Sequence, residues 1–303
     1  MITVRAAPTS ANLGPGFDCL AVTLDLGDVV METSFEEGGS GGITVIPEGW
    51  GWEILPQDSS NLVARAFTHF ARQKSLQPPD GLVIHSHNGI PIGSGLGSSA
   101  AAIVSGLLAA REYYNESASM QDMANMALAL EGHADNTTAA LLGGLVVLTV
   151  QDDKVVYRSY PAARLPVVVV RPEFTLSTRA ARQALPKQVS LKDAVSSVGN
   201  TALVVDALQR GDMDLLGKVY RDTLHQPYRL PLIPGAAQAA QAGLDAGAAA
   251  VVLSGAGPSL ICFTIRNQEE AAGAMQEGFA KAGLKSQAFF GFTADKPALV
   301  MAA

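Results

Sequence analysis

The chain has 303 residues, of which 48% are hydrophobic and 16% charged, enough apolar material for one large domain or two of ordinary size. Its net charge of −7 comes with no lysine or arginine run, so a nucleic-acid surface is not expected. Nor does any run of roughly eighteen apolar residues suggest a membrane span. The opening Met1 to Arg5 lacks a signal-peptide layout, and Cys19 and Cys262 form no Cys-x-x-Cys pair, so a reduced, cytoplasmic setting is expected.

Along the first half, Ile2 to Ala6 alternates as a short strand would, and Ala21 to Phe35 carries a Val/Leu/Thr strand pattern. Glu36 to Gly42 reads as a glycine-rich turn and Ile43 to Ile46 as a strand. Asn61 to Lys74 has helical spacing, and Leu82 to His87 is a strand. Helices are predicted over Ser98–Tyr114 and Ser119–Leu130, the second opened by a capping box of Ser119 and Asp122. Leu145 to Val150 is a strand, and the weakly periodic segment Gln151–Leu165 is the expected boundary, dividing the chain into 1–155 and 156–303. Beyond it come a strand at Leu165–Arg171 and helices at Arg179–Leu185, Leu191–Gln209, Asp214–Leu224 and Ala236–Ala246. Strands at Ala249–Leu253 and Leu260–Ile265, a helix at Gln268–Ala282 and a strand at Gln287–Phe292 complete the chain. That order predicts an antiparallel α/β sandwich.

Six segments carry chemistry. Pro91 to Ala102 places Gly93, Gly95 and Gly97 before Ser98 and Ser99 and runs into an apolar helix. A helix N-terminus has unpaired N–H groups and a partial positive charge, and glycines before it let the backbone approach phosphate oxygens. No lysine follows Gly97, which excludes a Walker loop, and the dinucleotide spacing fails at Ser98. A second glycine-rich loop, Ala7 to Asp18, offers Asn12 and Asp18; taken alone, it is equally an Asx turn. In the third segment, Gly132 suits a helix end and Asp135 or Asn136 could cap the next helix, which leaves Glu131 and His133 without a structural task. A lone carboxylate beside phosphates suits Mg²⁺, whereas one His and no Cys do not make a zinc set. The turn Ser254 to Ser259 and the arginines Arg182 and Arg229 complete the set; guanidinium forks bind carboxylates bidentately.

These segments together resemble the GHMP small-molecule kinases, and among them the homoserine kinase family. The pattern Pro-x-x-x-Gly-Leu-Gly-Ser-Ser-Ala spans Pro91–Ala100, and Ser10–Asp18, Glu131–Asn136, Ser177–Arg182, His225–Arg229 and Ser254–Ser259 are similar to further family motifs. The resemblance implies an α+β, two-domain fold: an N-terminal ribosomal-protein-like domain with a left-handed crossover and a C-terminal ferredoxin-like sandwich. It implies ATP-dependent phosphorylation of the L-homoserine side-chain hydroxyl, a step of threonine biosynthesis, with Mg²⁺, in a homodimer. Pro91, Ile92, Gly93, Ser94, Gly95, Leu96, Gly97, Ser98, Ser99, Ala100 and Ala101 would hold the triphosphate, with Asn61 bordering adenine. Ser98 or Ser99 and Glu131 would hold Mg²⁺.

Arg182 and Arg229 would grip the substrate carboxylate and Asp18 its ammonium, at opposite ends. Asn12, Thr178, His133, Asp135, Asn136 and Gly257 would line the rest, with Glu131, Asp135, Asn136 and Asn12 closest to the chemistry and Asp135 the candidate base. The chain departs from the family pattern in three places: Ala134 replaces a proline, Ala7 and Pro8 stand in reversed order, and Ala21 replaces a glycine. None removes a chemical group. A related kinase for mevalonate or a sugar is the rival reading; an acceptor that is not a zwitterion would not need both arginines with Asp18.

Overall fold

The computed structural model describes residues 1–38 and 41–302. Two sheets organise it. The first has the order β13-β1-β4-β6-β5, built from β1 (Ile2–Ala6), β4 (Met31–Glu37), β5 (Gly42–Gly49), β6 (Gly81–Asn88) and β13 (Leu299–Ala302). Among the described residues only β5 and β6 pair in parallel, and α1 (Leu62–Gln73) crosses between them. The second sheet has the order β10-β11-β9-β12-β3-β7-β8, with β2 (Thr9–Ala11) paired to β3 (Leu20–Asp25) off that path. Its other strands are β7 (Leu145–Gln151), β8 (Lys154–Tyr160), β9 (Pro166–Pro172), β10 (Ala250–Leu253), β11 (Leu260–Phe263) and β12 (Ser286–Ala294). Within it, β9 to β12 form the expected antiparallel sandwich, with the ferredoxin-like order of fourth, first, third and second strand.

Strand-like residues at Ala21–Phe35 do not make one strand. Gly27 turns at φ +67° and sends the chain from β3 in one sheet to β4 in the other. The segment Gln151–Leu165 holds β8, because Asp152 and Asp153 both adopt positive φ and close a tight hairpin with β7. The division point at 155/156 thus lies inside β8. β12 pairs with β3, so one continuous sheet takes strands from both halves, and β13 returns to pair with β1.

The helix α2 (Ser98–Tyr113) is the central post. Ten consecutive residues from Ala101 to Ala110 are buried, which its Ala-rich, non-amphipathic sequence permits. It packs on α1 so closely that a Cβ at Gly106 would collide with the Val63 carbonyl. The capping box of Ser119 and Asp122 opens α3 (Met120–Glu131), and Gly132 closes it at φ +82°. The following α4 (Asp135–Leu142) departs from expectation at its start. Ala134 is the N-cap and makes no side-chain bond; Asp135 is the first helical residue, and its carboxylate accepts from the Asn136 N–H at 2.7 Å. The second half carries α5 (Thr178–Gln183), α6 (Leu191–Arg210), α7 (Met213–Val219), α8 (Gln226–Arg229), α9 (Ala236–Asp245) and α10 (Gln268–Ala280).

Candidate functional site

A cleft of about 290 Å³ opens where the two halves meet. One wall is the phosphate loop. Gly93, Gly95 and Gly97 take φ of +63°, +82° and +74°, a conformation in which glycine is unstrained. Gly97 is the N-cap of α2 and Ala101 N–H bonds its carbonyl, so the amides of Ser98, Ser99 and Ala100 have no partner within the helix. They form the anion-attracting end expected of the loop.

Three glycine-rich segments lock together here. Ser254 Oγ donates to the Gly95 carbonyl at 2.7 Å and lies 2.9 Å from Ser10 Oγ. Thr9 N–H bonds the Leu96 carbonyl, and Thr9 Oγ1 donates to Asn136 Oδ1 at 2.8 Å. Asn12 Nδ2 donates to the Gly255 carbonyl at 2.7 Å, while its Oδ1 accepts from the Asp18 N–H. A Cβ on Gly95 would strike the Ser254 carbonyl and one on Gly97 the Thr9 hydroxyl, so these glycines are required by packing as well as by dihedral.

Of the expected residues, the cleft is lined by Asn12, Asp18, Asn61, Ile92, Gly93, Ser94, Gly95, Gly97, Ser98, Ser99, Glu131, His133, Asp135, Asn136, Thr178, Arg182, Arg229 and Gly257. Pro91, Leu96, Ala100 and Ala101 are buried behind it and support the loop from beneath. Asn61 is already committed: its Oδ1 caps α1 at the Val63 N–H and its Nδ2 holds the Pro56 carbonyl. The motifs gave no sign of the apolar end formed by Met31, Leu55, Leu62, Val63 and Ala102. Ordinary strand, loop and helix residues supply it, and only the fold brings them together.

Ser98 and Ser99 separate clearly. Ser99 Oγ donates to Glu131 Oε1 at 2.5 Å, whereas the Ser98 hydroxyl faces Asn88 at 3.4 Å. Glu131 also lies 3.7 Å from His133 Nε2, and His133 Nδ1 is 3.1 Å from Asp135 Oδ1. Burial pulls the His133 pKa down, but the hydrogen bond and charge of Asp135, with the charge of Glu131, outweigh it and leave the pKa raised. Burial would likewise raise that of Asp135. The His133 contact and the Asn136 N–H prevail, and the carboxyl is held below its ordinary range.

The two arginines behave differently. Arg182 from α5 meets Asp18 in a bidentate pair, Nη1–Oδ2 2.7 Å and Nη2–Oδ1 2.8 Å, so the groups expected at opposite ends of a ligand touch each other. Arg229 from α8 is 1% exposed and has no carboxylate at ion-pair distance among the described residues. Its guanidinium is held instead by the Ala181 carbonyl at 3.3 Å, by the Gly255 carbonyl and His225 Nδ1 at 3.4 Å, and by the Phe17 ring 4.9 Å away. Burial lowers its pKa from the usual arginine value. A buried cation without a counter-ion is costly, and a ligand carboxylate would relieve it.

Sequence reading missed the support behind these arginines. His225 is fully buried; its Nε2 donates to the Gly14 carbonyl at 2.8 Å, which leaves Nδ1 as an acceptor toward Arg229. Its ring stacks on Phe17 at 5.2 Å, and Phe17 also faces Arg182 at 5.7 Å. Asp222 anchors the turn by accepting the N–H groups of Leu224, His225 and Gln226.

This combination of phosphate loop and cationic pocket has counterparts. The model of the GHMP kinases N terminal domain matches residues 61–144, and that of the GHMP kinases C terminal matches residues 204–283. A homoserine kinase of Moorella thermoacetica is 42% identical over 287 residues, covering 94% of this chain and 95% of that one. The chain belongs to the homoserine kinase family. A homoserine kinase of Caldicellulosiruptor bescii is 41% identical over 89% of this chain and 86% of the relative. The crystal structure of homoserine kinase from Cytophaga hutchinsonii superimposes with a TM-score of 0.87 at 30% identity, over 99% of this chain and 97% of that one. The fold alone is shared with L. major mevalonate kinase in complex with R-mevalonate, at TM-score 0.70 and 17% identity. The expected α+β GHMP kinase fold is thereby borne out.

Proposed function

We propose that the protein transfers the γ-phosphoryl group of ATP to the side-chain hydroxyl of L-homoserine, giving O-phospho-L-homoserine and ADP for threonine biosynthesis. The observation that carries the substrate assignment is the buried, uncompensated Arg229, set beside the Arg182–Asp18 pair in the same cleft as the phosphate loop. A neutral acceptor would leave that cation without a counter-ion. An amino acid supplies a carboxylate to the arginines and an ammonium to Asp18, and so divides the pair between its own two charges.

The free amides at the start of α2 and the glycine loop would take the triphosphate, and Met31, Leu55, Leu62 and Val63 would form the apolar slot for adenine. Glu131 and Ser99 present a carboxylate and a hydroxyl on neighbouring oxygens, an oxygen donor pair that suits Mg²⁺. Held there, Mg²⁺ would neutralise charge on the phosphates. Phosphoryl transfer of this kind depends on positioning more than on a strong base. We assign to Asp135 the uptake of the hydroxyl proton, with Asn12, His133, Asn136, Thr178 and Gly257 enclosing the acceptor. As further parts of this reading, the protein acts in the cytoplasm as a homodimer. Among the described residues no helix is long and apolar enough to cross a membrane.

ADP release coupled to a reporter, with Mg²⁺–ATP and L-homoserine, mevalonate, galactose, L-serine and L-threonine offered in parallel, tests the reading. Homoserine-dependent release supports it. Release with mevalonate or galactose instead would keep the ATP site and discard the acceptor.

A further inference from the structure

The 20-residue α6 is packed on one side only, through Ser197, Val204, Ala207 and Leu208. Its other side is bare and apolar. Leu191, Val195 and Val198 are 81%, 64% and 73% exposed, and their spacing of four and three residues aligns them in one stripe, flanked by the half-exposed Leu203. Single exposed apolar residues are ordinary on a protein surface, but a contiguous stripe marks a contact.

Gly199 lies within this stripe. Mid-helix glycine weakens a helix relative to alanine. Here a Cβ would meet nothing within 4 Å, so nothing within the chain asks for the glycine. A second helix crossing at this point would, because glycine lets two backbones approach closely.

The charges choose the orientation. Lys192 and Asp206 stand seven residues to either side of Gly199, near the same face of the helix. A two-fold axis at Gly199 sets Lys192 of each copy opposite Asp206 of the other and Val195 opposite Leu203. A parallel arrangement would oppose Lys192 to Lys192. Asp206 uses Oδ1 for Arg210 of its own chain, at 2.6 Å, which leaves Oδ2 for a partner.

We propose that a second copy of this chain docks here, α6 against α6, antiparallel about Gly199. The proposal rests on the dimer expected above and supplies its surface. It stands apart from phosphoryl transfer, since no residue of α6 lines the cleft.

Sedimentation of the full chain over a concentration range tests it, with homoserine-dependent ADP release measured alongside as a check of folding. The wild type is expected at twice 31.4 kDa. Val195→Asp should weaken association about 100-fold, since the two-fold axis makes each substitution act twice. Lys192→Glu should weaken it as well, and Lys192→Glu with Asp206→Lys should restore it. Gly199→Cys, lying on the axis, should link to itself under mild oxidation. If Val195→Asp abolishes ADP release, the Gly199→Cys crosslink decides. A dimer insensitive to these substitutions, with no crosslink, would overturn the interface while leaving the dimer intact. A wild type that stays monomeric throughout would overturn both and leave the stripe to a different protein.

Discussion

Arg182 and Asp18, 164 residues apart in sequence, hold each other through two parallel hydrogen bonds of 2.7 and 2.8 Å across the cleft. Each group is thus satisfied before a ligand arrives, and each is over a third exposed, so the pair can open. On the proposed reading, an amino acid entering between them would replace one ion pair by two.

Asp18→Asn tests this exchange. It keeps the shape but removes the charge that would meet the ammonium. The KM for homoserine is expected to rise about 10- to 100-fold with a smaller change in kcat. Discrimination between homoserine and 4-hydroxybutanoate, which lacks the ammonium, should shrink in the same assay. Unchanged discrimination would show that Asp18 reads something else.

Arg229→Lys keeps a cation but loses the planar fork and its contacts to the Ala181 and Gly255 carbonyls. We expect kcat/KM for homoserine to fall about 100-fold, chiefly through KM, with ATP affinity retained. Equal loss of ATP binding, measured by calorimetry, would place Arg229 in a different role.

Glu131→Gln preserves the bond to Ser99 in outline and removes the negative charge. ADP release at a fixed Mg²⁺ concentration is expected to drop about 100-fold, and the Mg²⁺ needed for half-maximal rate to rise. Chelation of Mg²⁺ should abolish turnover of the parent enzyme. A variant with the parent's Mg²⁺ dependence would remove Glu131 from the metal site.

Gly95→Ala should lower stability by about 2 kcal/mol or more, or roughly 3 °C or more in Tm, because φ +82° strains an L residue and the new Cβ meets the Ser254 carbonyl. Gly273→Ala, in α10 with open space around the site, should be neutral or slightly stabilising. Thermal melts of the two variants would separate a packing requirement from a general effect of removing glycine.

His225 makes stability depend on pH. Burial lowers its folded pKa below the ordinary histidine value of 6.5, although Asp222 and the Gly14 carbonyl pull the other way. The unfolded chain therefore binds the proton more readily, and the stability contributed by neutral His225 is full above about pH 6.5 and declines as the pH falls toward the folded pKa. Denaturant midpoints should drop below pH 6.5, and His225→Gln should flatten that part of the profile. An equal slope in parent and variant would exclude His225 as its source.

Much of this was legible in the residues. The phosphate loop declared itself through Gly93, Gly95, Gly97 and the serines after them, and the capping box at Ser119 and Asp122 marked a helix start to within a residue. Where reading failed, a non-local contact had decided. Ala21 to Phe35 has uniform strand propensity, yet Gly27 divides it between two sheets. Asn61 lines the cleft as expected, with its amide also engaged locally in capping α1 and holding the Pro56 carbonyl.

By itself, then, the sequence determined which segments turn, which coil into helices, and which chemical groups are on hand. Those properties arise from dihedral preference and periodicity over a few neighbouring residues. Only the tertiary structure decided that Asp18 meets Arg182, that Arg229 is buried without a counter-ion, and that Ser99 rather than Ser98 reaches Glu131. Those relations depend on long-range pairing, such as β12 with β3 and Ser254 with Gly95, which joins the two halves of the chain through contacts no local window contains.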